Sequence, residues 1–187
     1  MRTHLAALVC AGWVLALGAC SGAIVPRPQE AGESIVYGYI DMADAPVNLQ
    51  WVSIRQYAPP SDAPYWSAGV EQGTYWQWYL KPGSYAVDSF GGSGFNSNYT
   101  FNMPRQSRSL RLVIKKAGIY YLGAFKYKAI APNLAQALEI TPKQYRLDPV
   151  TKPSEAAVLQ MLLEKVEDDR WKKRIRARLT ADGTWQS

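Results

Sequence analysis

The side chains best suited to nucleophilic catalysis or to metal binding are confined to the start of the chain. The only histidine is His4, and the only cysteines are Cys10 and Cys20. Arg2 and His4 precede an uncharged apolar run, residues 5–17, and small residues follow it, which is the pattern of a secretory signal peptide. Once this peptide is removed, serine–histidine and cysteine–histidine nucleophiles and histidine metal sites are excluded. Neither a metal nor a cofactor is expected.

Cys20 stands in a sequence that assigns a specific chemistry to its thiol. Leu17-Gly18-Ala19-Cys20 resembles the lipobox of bacterial lipoproteins. The resemblance implies that Cys20 receives a diacylglyceryl group, that the chain is cleaved before it, and that the freed amine is acylated. Several acyl chains, at ~0.8 kcal/mol per buried CH₂, would hold the protein on a membrane. The alternative is an ordinary signal peptide in which Cys20 is incidental.

The same resemblance implies a location. The apolar run of residues 5–17 is shorter than the ~20 residues of a spanning helix, so the protein is expected to be anchored by lipid rather than to span. Ser21, rather than an aspartate, follows Cys20. By the sorting rules of enterobacteria this favours the outer membrane, with the protein facing the periplasm of a bacterial cell envelope.

Carboxylates are the remaining candidates for catalysis. A hydrolase of this type needs two acids ~5–9 Å apart in a concave pocket. The candidates are Asp41, Asp44, Glu71, Asp88 and Glu139. Asp41 and Asp44 are three residues apart, but aspartates before Ala45-Pro46 are typical of turn formation. A carboxylate-dependent hydrolase is therefore the weakest of the predicted functions.

Aromatic side chains offer a binding surface instead. Trp76 and Trp78 share one face of a predicted strand, Tyr75 and Tyr79 the other, and Trp66 lies nearby in the sequence. If exposed, such an array would stack on the sugar rings of a carbohydrate or peptidoglycan, or anchor a protein partner. Alternatively, one face is sandwich core and the other packs under the C-terminal helix. Solvent exposure of the two tryptophans distinguishes the two interpretations.

Basic residues form two groups. The members are Arg105, Arg108, Arg111, Lys115 and Lys116, and then Arg170, Lys172, Lys173, Arg174, Arg176 and Arg178. The second group shares a helical segment with Trp171 and Ile175, so Arg174 and Arg178 are candidate contacts with anionic lipid. The alternative is a helix docked by its apolar stripe with its charges solvated. A net charge of only +6 and an envelope location argue against nucleic acid as a partner.

A glycine-rich segment follows the aromatic strands. No helical pattern follows Gly91-Gly92-Ser93-Gly94, so it lacks the helix N-terminus that a phosphate cradle needs. Residues 91–98 are therefore predicted to be a hairpin loop.

These residues must be positioned by a β-rich body. About eight strand-like segments, separated by Gly and Pro, lie between residues 35 and 150. The predicted segments are 35–40, 47–57, 73–80, 85–90, 99–103, 110–114, 119–127 and 137–141. This spacing predicts a mainly β fold, an antiparallel β-sandwich of about seven or eight strands.

The pattern changes to a helical period at the C-terminus. Ser154 can cap a helix that begins at Glu155. Two apolar stripes follow, Val158, Leu159, Leu162, Leu163 and Val166, and then Trp171, Ile175 and Leu179. We expect both stripes to pack on the sandwich, because short helices are marginal alone in water. The predicted organisation is a signal peptide (1–19), a flexible tether (20–34), a sandwich domain (35–150) and a helical appendage (151–187).

Two segments of the body resemble a known family. Leu80-Lys81-Pro82-Gly83-Ser84-Tyr85, followed later by Ala117-Gly118-Ile119-Tyr120-Tyr121-Leu122-Gly123, resembles small prealbumin-like sandwich domains, related in shape to carboxypeptidase regulatory domains. Such domains occur in bacterial lipoproteins and envelope proteins. The resemblance covers about residues 35–128 and implies a fold, not catalytic residues. The sequence thus predicts a non-enzymatic binding or structural module, with an envelope protein or a glycan as its partner.

Overall fold

The computed structural model describes residues 32–95, 97–103, 110–130 and 144–183, with side chains up to residue 181. In these ranges the chain forms nine strands and then two helices, which confirms a mainly β fold with C-terminal helices. The strands are β1 Ser34–Asp41, β2 Trp51–Ala58, β3 Tyr65–Glu71, β4 Thr74–Leu80, β5 Gly83–Ser93, β6 Asn98–Asn102, β7 Arg111–Ile114, β8 Ile119–Ala129 and β9 Tyr145–Val150. The helices are α1 Glu155–Lys165 and α2 Asp169–Gly183. The predicted signal peptide, most of the tether and the predicted strand at 137–141 lie outside the described residues.

The strands form one sheet in the order β6-β5-β2-β3-β4-β1-β8-β9. The long strand β5 pairs with β6 through residues 89–93 and with β7 through residues 83–86. The described strand pairs are antiparallel except β1 and β8, which run parallel. The prediction of purely antiparallel pairing is therefore wrong for β1 and β8. The residue pattern within a single strand carries no information on which distant strand becomes its neighbour.

The sheet curls around an apolar core. Val52 and Ile54 of β2 and Phe90 of β5 belong to the same buried cluster as Ile40 of β1 and Phe125 of β8. The two edge strands are also brought together by aromatic rings that we call the closing cluster: Phe101, Tyr127 and Tyr145. The ring centroids of Phe101 and Tyr127 are 5.0 Å apart. The Tyr145 hydroxyl of β9 donates to the Asn102 carbonyl of β6 at 2.9 Å.

The helices cover the outer face of β4, β1 and β8. Leu159, Leu162 and Val166 of the α1 segment and Trp171 and Ile175 of α2 are all buried there. This confirms the predicted packing of both apolar stripes. The predicted cap is also confirmed, since the Ser154 hydroxyl accepts a hydrogen bond from the Ala157 amide at 3.3 Å.

Three local predictions are corrected by the structure. Strands β3 and β9 were not predicted, because β3 contains Ala68 and Gly69 and β9 contains Pro149. Residues 91–93 belong to β5 rather than to a loop. Glu33 and Ser34, predicted to be tether, are fully buried parts of the body.

Candidate functional site

The sequence-predicted aromatic residues do not form an exposed surface. Tyr75 is fully buried in the core of the curled sheet, and Trp78 is 5% exposed and packs on α2. Trp76 and Tyr79 are partly buried beside the helices. Trp66 is partly buried on the inner face of the sheet. The strand is covered on both faces, which was the alternative interpretation of its aromatic pattern.

A bulge explains why Tyr79 does not share a face with Tyr75. Ser34 lies opposite Leu80 and Val36 opposite Gln77, so β4 has one extra residue relative to β1. Tyr79 adopts a φ of 72° within this extra segment. The extra residue shifts the alternation of β4 and turns Tyr79 toward the helices. The predicted pairing of these two tyrosines on one face is therefore wrong.

The two arginines predicted to contact lipid are engaged within the protein. One guanidinium nitrogen of Arg174 donates to the Glu33 carbonyl at 3.2 Å, and the group lies 4.9 Å from the Trp171 ring. Burial lowers the pKa of Arg174. Arg178 donates to the Glu155 carboxylate at 3.1 Å. Arg174 therefore holds α2 against the start of β1, and Arg178 joins α2 to α1.

Glu155 also joins this helix to the sheet. The buried Tyr37 hydroxyl of β1 donates to the Glu155 carboxylate at 2.5 Å, and the Tyr37 ring lies 5.1 Å from that of Tyr121 on β8. Burial, and then the charge of Glu155, raises the pKa of Tyr121. This cluster is a polar connection between β1, β8, α1 and α2.

Three of the five candidate catalytic acids have structural partners. The Asp41 carboxylate accepts from the Ala43 amide at 2.8 Å, which forms the predicted turn. Asp44 pairs with Lys126 at 3.2 Å and Glu71 with Lys165 at 2.8 Å. Asp88 is partly buried in β5, and Glu139 lies outside the described residues.

A groove that the sequence did not predict lies over β2, β5 and β7. Its volume is about 390 Å³. The lining residues are Tyr57, Ser84, Tyr85, Arg111, Leu112 and Val113. Tyr57 and Val113 are about half exposed, at 49% and 58%. No carboxylate is among these lining residues, so the groove does not hold the paired acids that a hydrolase of this kind needs.

Arg55 borders this groove between two exposed rings. Its guanidinium lies 5.2 Å from the Tyr57 ring and 5.4 Å from the Tyr65 ring, both within cation–π range. Tyr65 is directly opposite Arg55 in the β2–β3 pair. Tyr57 is two residues along β2, and the short distance from its ring to Arg55 places both side chains on one face. In the part of the chain that the structure describes, no carboxylate pairs with Arg55.

This arrangement can bind but does not supply an acid–base pair. The exposed phenol rings of Tyr57 and Tyr65 can stack on a sugar or another flat group, and Arg55 can pair with an anion. The sequence signal was the spacing of Arg55 and Tyr57 in a predicted strand. The sequence did not indicate that Tyr65 joins Arg55 and Tyr57, because Tyr65 begins a strand that was not predicted.

Comparison of the chain with family models, curated proteins and solved structures finds no significant match. Within the described ranges, no group of three or more His, Cys, Asp or Glu side chains is placed to hold a metal ion. Among the same residues, no helix has both the length and the apolar composition needed to cross a membrane.

Proposed function

We propose that this protein is a lipid-anchored lipoprotein of the bacterial envelope, at the outer membrane and facing the periplasm, where its body is a non-enzymatic binding or structural module. The observation that carries the proposal is Leu17-Gly18-Ala19-Cys20 after a basic head and an apolar run. The folded body supports it, because β1 begins at Ser34 and only thirteen residues lie between Cys20 and that strand. That spacing leaves a short tether between lipid and body.

The architectural part of the proposal is a prealbumin-like sandwich. It is supported by the apolar core, which is shared by β2 and β5 from one part of the sheet and by β1 and β8 from another. It is also supported by the turns at Lys81-Pro82-Gly83 and Ala117-Gly118, which carry the sequence resemblance. The parallel β1–β8 pair departs from the purely antiparallel sandwich that the sequence predicts.

The binding part of the proposal is assigned to the groove and to Arg55 beside it. A carbohydrate is the second candidate function, because Tyr57 and Tyr65 are 49% and 54% exposed and Arg55 lies between their rings. This moves the proposed aromatic surface from the covered strand β4 to the open face of β2 and β3. The hydrolase is not proposed further, because Asp41 forms a turn and Asp44 and Glu71 are in ion pairs.

The anchor is tested in cells fed radioactive palmitate. We expect Cys20→Ala to abolish labelling and to leave the signal peptide attached, since only a thiol can form the thioether. Cys10→Ala is the matched control and keeps full labelling, because Cys10 lies in the segment that is removed. Label retained by Cys20→Ala would refute the anchor.

The groove is tested by titrating soluble peptidoglycan fragments against the purified protein. If a glycan is the ligand, Tyr57→Ala and Tyr65→Ala each weaken binding ~10-fold, the ratio produced by 1.4 kcal/mol of lost contact. The control is Phe95→Ala, which removes a fully exposed ring from the β5–β6 turn. An equal loss in the control, or none in the two tyrosine variants, would remove the carbohydrate function.

A further inference from the structure

One end of the sheet is where the tether joins the body, and we call it the tether end. β1 starts there at Ser34, beside Leu80 at the end of β4. The Ile35 amide donates to the Gly118 carbonyl at 3.0 Å, and the Gly118 amide donates to the Ser34 hydroxyl at 3.1 Å. The start of β1 therefore lies directly between the β4–β5 turn and the β7–β8 turn.

Both turns have the same construction and each presents a lysine. Lys81 and Tyr85 are four residues apart, as are Lys116 and Tyr120, and a glycine lies between them in each turn. The Tyr85 hydroxyl donates to the Lys81 carbonyl at 2.8 Å, and the Tyr120 hydroxyl donates to the Lys116 carbonyl at 2.6 Å. These hydrogen bonds fix the backbone of both lysines at the tether end.

The glycines allow the tyrosines to fold back. A Cβ at Gly118 would lie 2.9 Å from the Tyr120 ring, and one at Gly83 would lie 2.5 Å from the Ala58 carbonyl and 3.1 Å from the Tyr85 ring. The positions of the two lysines are therefore set by the fold rather than by mobile loops.

The cations of these turns are exposed and have no acidic partner. Lys81, Lys115 and Lys116 are exposed, and none pairs with a carboxylate in the described part of the chain. Helix α2 reaches the same end, where Arg174 donates to the Glu33 carbonyl. The exposed Arg176 lies on that helix.

The opposite end of the sheet has a different charge arrangement. There Lys126 pairs with Asp44, and Lys165 pairs with Glu71. Two acids are present at the tether end too. Asp62 is exposed in the loop after β2, and Glu33 is buried directly before β1. The three turn lysines outnumber these two acids, so the tether end is the more basic of the two.

We propose that the tether end is the face that the body turns to the membrane, where Lys81, Lys115 and Lys116 contact anionic phospholipid headgroups. This inference rests on the proposed lipid anchor at Cys20. The fourteen residue steps from Cys20 to Ser34 span at most roughly 50 Å, so the start of β1 stays within that distance of the lipid surface while other parts of the body can lie farther away. Charge attraction then orients the body, because a Debye length of ~10 Å at 0.1 M salt limits the attraction to the nearest charges.

The experiment uses the acylated protein isolated from membranes and placed in vesicles. Lysines are labelled with an amine reagent and located by mass spectrometry, and the same digest reports whether Cys20 carries acyl chains. We expect vesicles with phosphatidylglycerol to slow labelling of Lys81, Lys115 and Lys116 about fivefold relative to phosphatidylcholine vesicles, the ratio that about 1 kcal/mol per lysine produces. High salt removes the difference. Lys128, exposed near the other end of β8, is labelled equally on both vesicles.

Paired variants separate the membrane surface from other causes. Lys115→Gln/Lys116→Gln reduces the protection of Lys81, whereas Lys128→Gln leaves it unchanged. An acylated protein with equal labelling on both vesicle types overturns this inference and leaves the anchor standing. A protein without acyl chains on Cys20 overturns the proposed function and this inference with it. Protection by soluble glycerol phosphate without vesicles would indicate a phosphate site and overturn the membrane face.

Discussion

Two buried tyrosines on neighbouring strands differ in whether the hydroxyl group has a hydrogen-bond partner. Tyr37 on β1 donates its hydroxyl to Glu155. The Tyr75 hydroxyl on β4 is buried and has no hydrogen-bond partner among the described residues. Burial, and then Tyr121, raises the pKa of Tyr75, so its hydroxyl stays neutral. A buried hydroxyl without a partner lowers the free energy of unfolding by about 1–3 kcal/mol. The Tyr75 ring nevertheless packs in the apolar core.

Substituting both tyrosines tests this difference. We expect Tyr75→Phe to leave the free energy of unfolding unchanged or to raise it by ~1–3 kcal/mol, because it removes a hydroxyl that forms no hydrogen bond in the folded state. Tyr37→Phe is the matched control and should lower it by ~1.5–3 kcal/mol, because a hydrogen bond to a carboxylate is lost. Urea denaturation measures both. A clear loss of stability in Tyr75→Phe would show that its hydroxyl has a partner.

The first turn of α2 is capped by a charged side chain, that of Asp168. The Asp168 carboxylate accepts from the amides of Arg170 and Trp171 at 3.0 and 3.1 Å. Desolvation alone would raise the pKa of Asp168, but these hydrogen bonds and the nearby Arg170 guanidinium outweigh it and lower the pKa. Since the same helix carries the buried Trp171, the cap helps to hold the helical layer on the sheet.

This cap predicts a pH dependence with a definite sign. The folded pKa of Asp168 lies below its unfolded value, so its charge stabilises the fold above pH ~4 and loses this effect as the pH falls through the folded pKa. Asp168→Asn keeps a capping oxygen but not the charge. We expect the wild type to melt higher than Asp168→Asn at pH 7 and the two melting temperatures to converge as the pH falls below the folded pKa of Asp168. A constant difference across this range would contradict the prediction.

The elements that were predicted from sequence are those with a strong internal period. The stripes of α1 and α2 and the shared face of Trp76 and Trp78 in β4 were predicted correctly, because each of these patterns repeats along its own element. β3 was missed since its small residues carry a weak period, and the β4 bulge at Tyr79 was missed since it depends on register with β1. The Arg55–Tyr65 contact was missed with β3, because a cross-strand pair requires both strands.

The whole molecule combines a nearly closed sheet with a helical layer on one outer face. Backbone pairing links the strands from β6 to β9 in one path, and the two ends of this path meet through side chains. In the closing cluster the Tyr145 ring lies 5.4 Å from Phe101 and 5.5 Å from Tyr127. Burial, and then Tyr127, raises the pKa of Tyr145. Side-chain contacts therefore join the two edges of the sheet at this junction, whereas backbone hydrogen bonds join neighbouring strands elsewhere.

Tyr145 is the residue whose removal should open the sheet. Tyr145→Phe keeps the ring and loses the hydroxyl contacts with the Asn102 carbonyl and the Met103 sulfur, so we expect a loss of ~1 kcal/mol in the free energy of unfolding. Tyr145→Ala also removes the ring contacts with β6 and should cost ~3 kcal/mol, at the low end for truncation of a buried aromatic residue. Hydrogen exchange should then speed up at the amides of β6 and β9 before those of β1 and β4, because the edges separate while the centre keeps both neighbours. If exchange rises equally across all strands in Tyr145→Ala, or if the two variants lose the same stability, closure does not depend on the ring and the sheet holds its curl through its backbone alone.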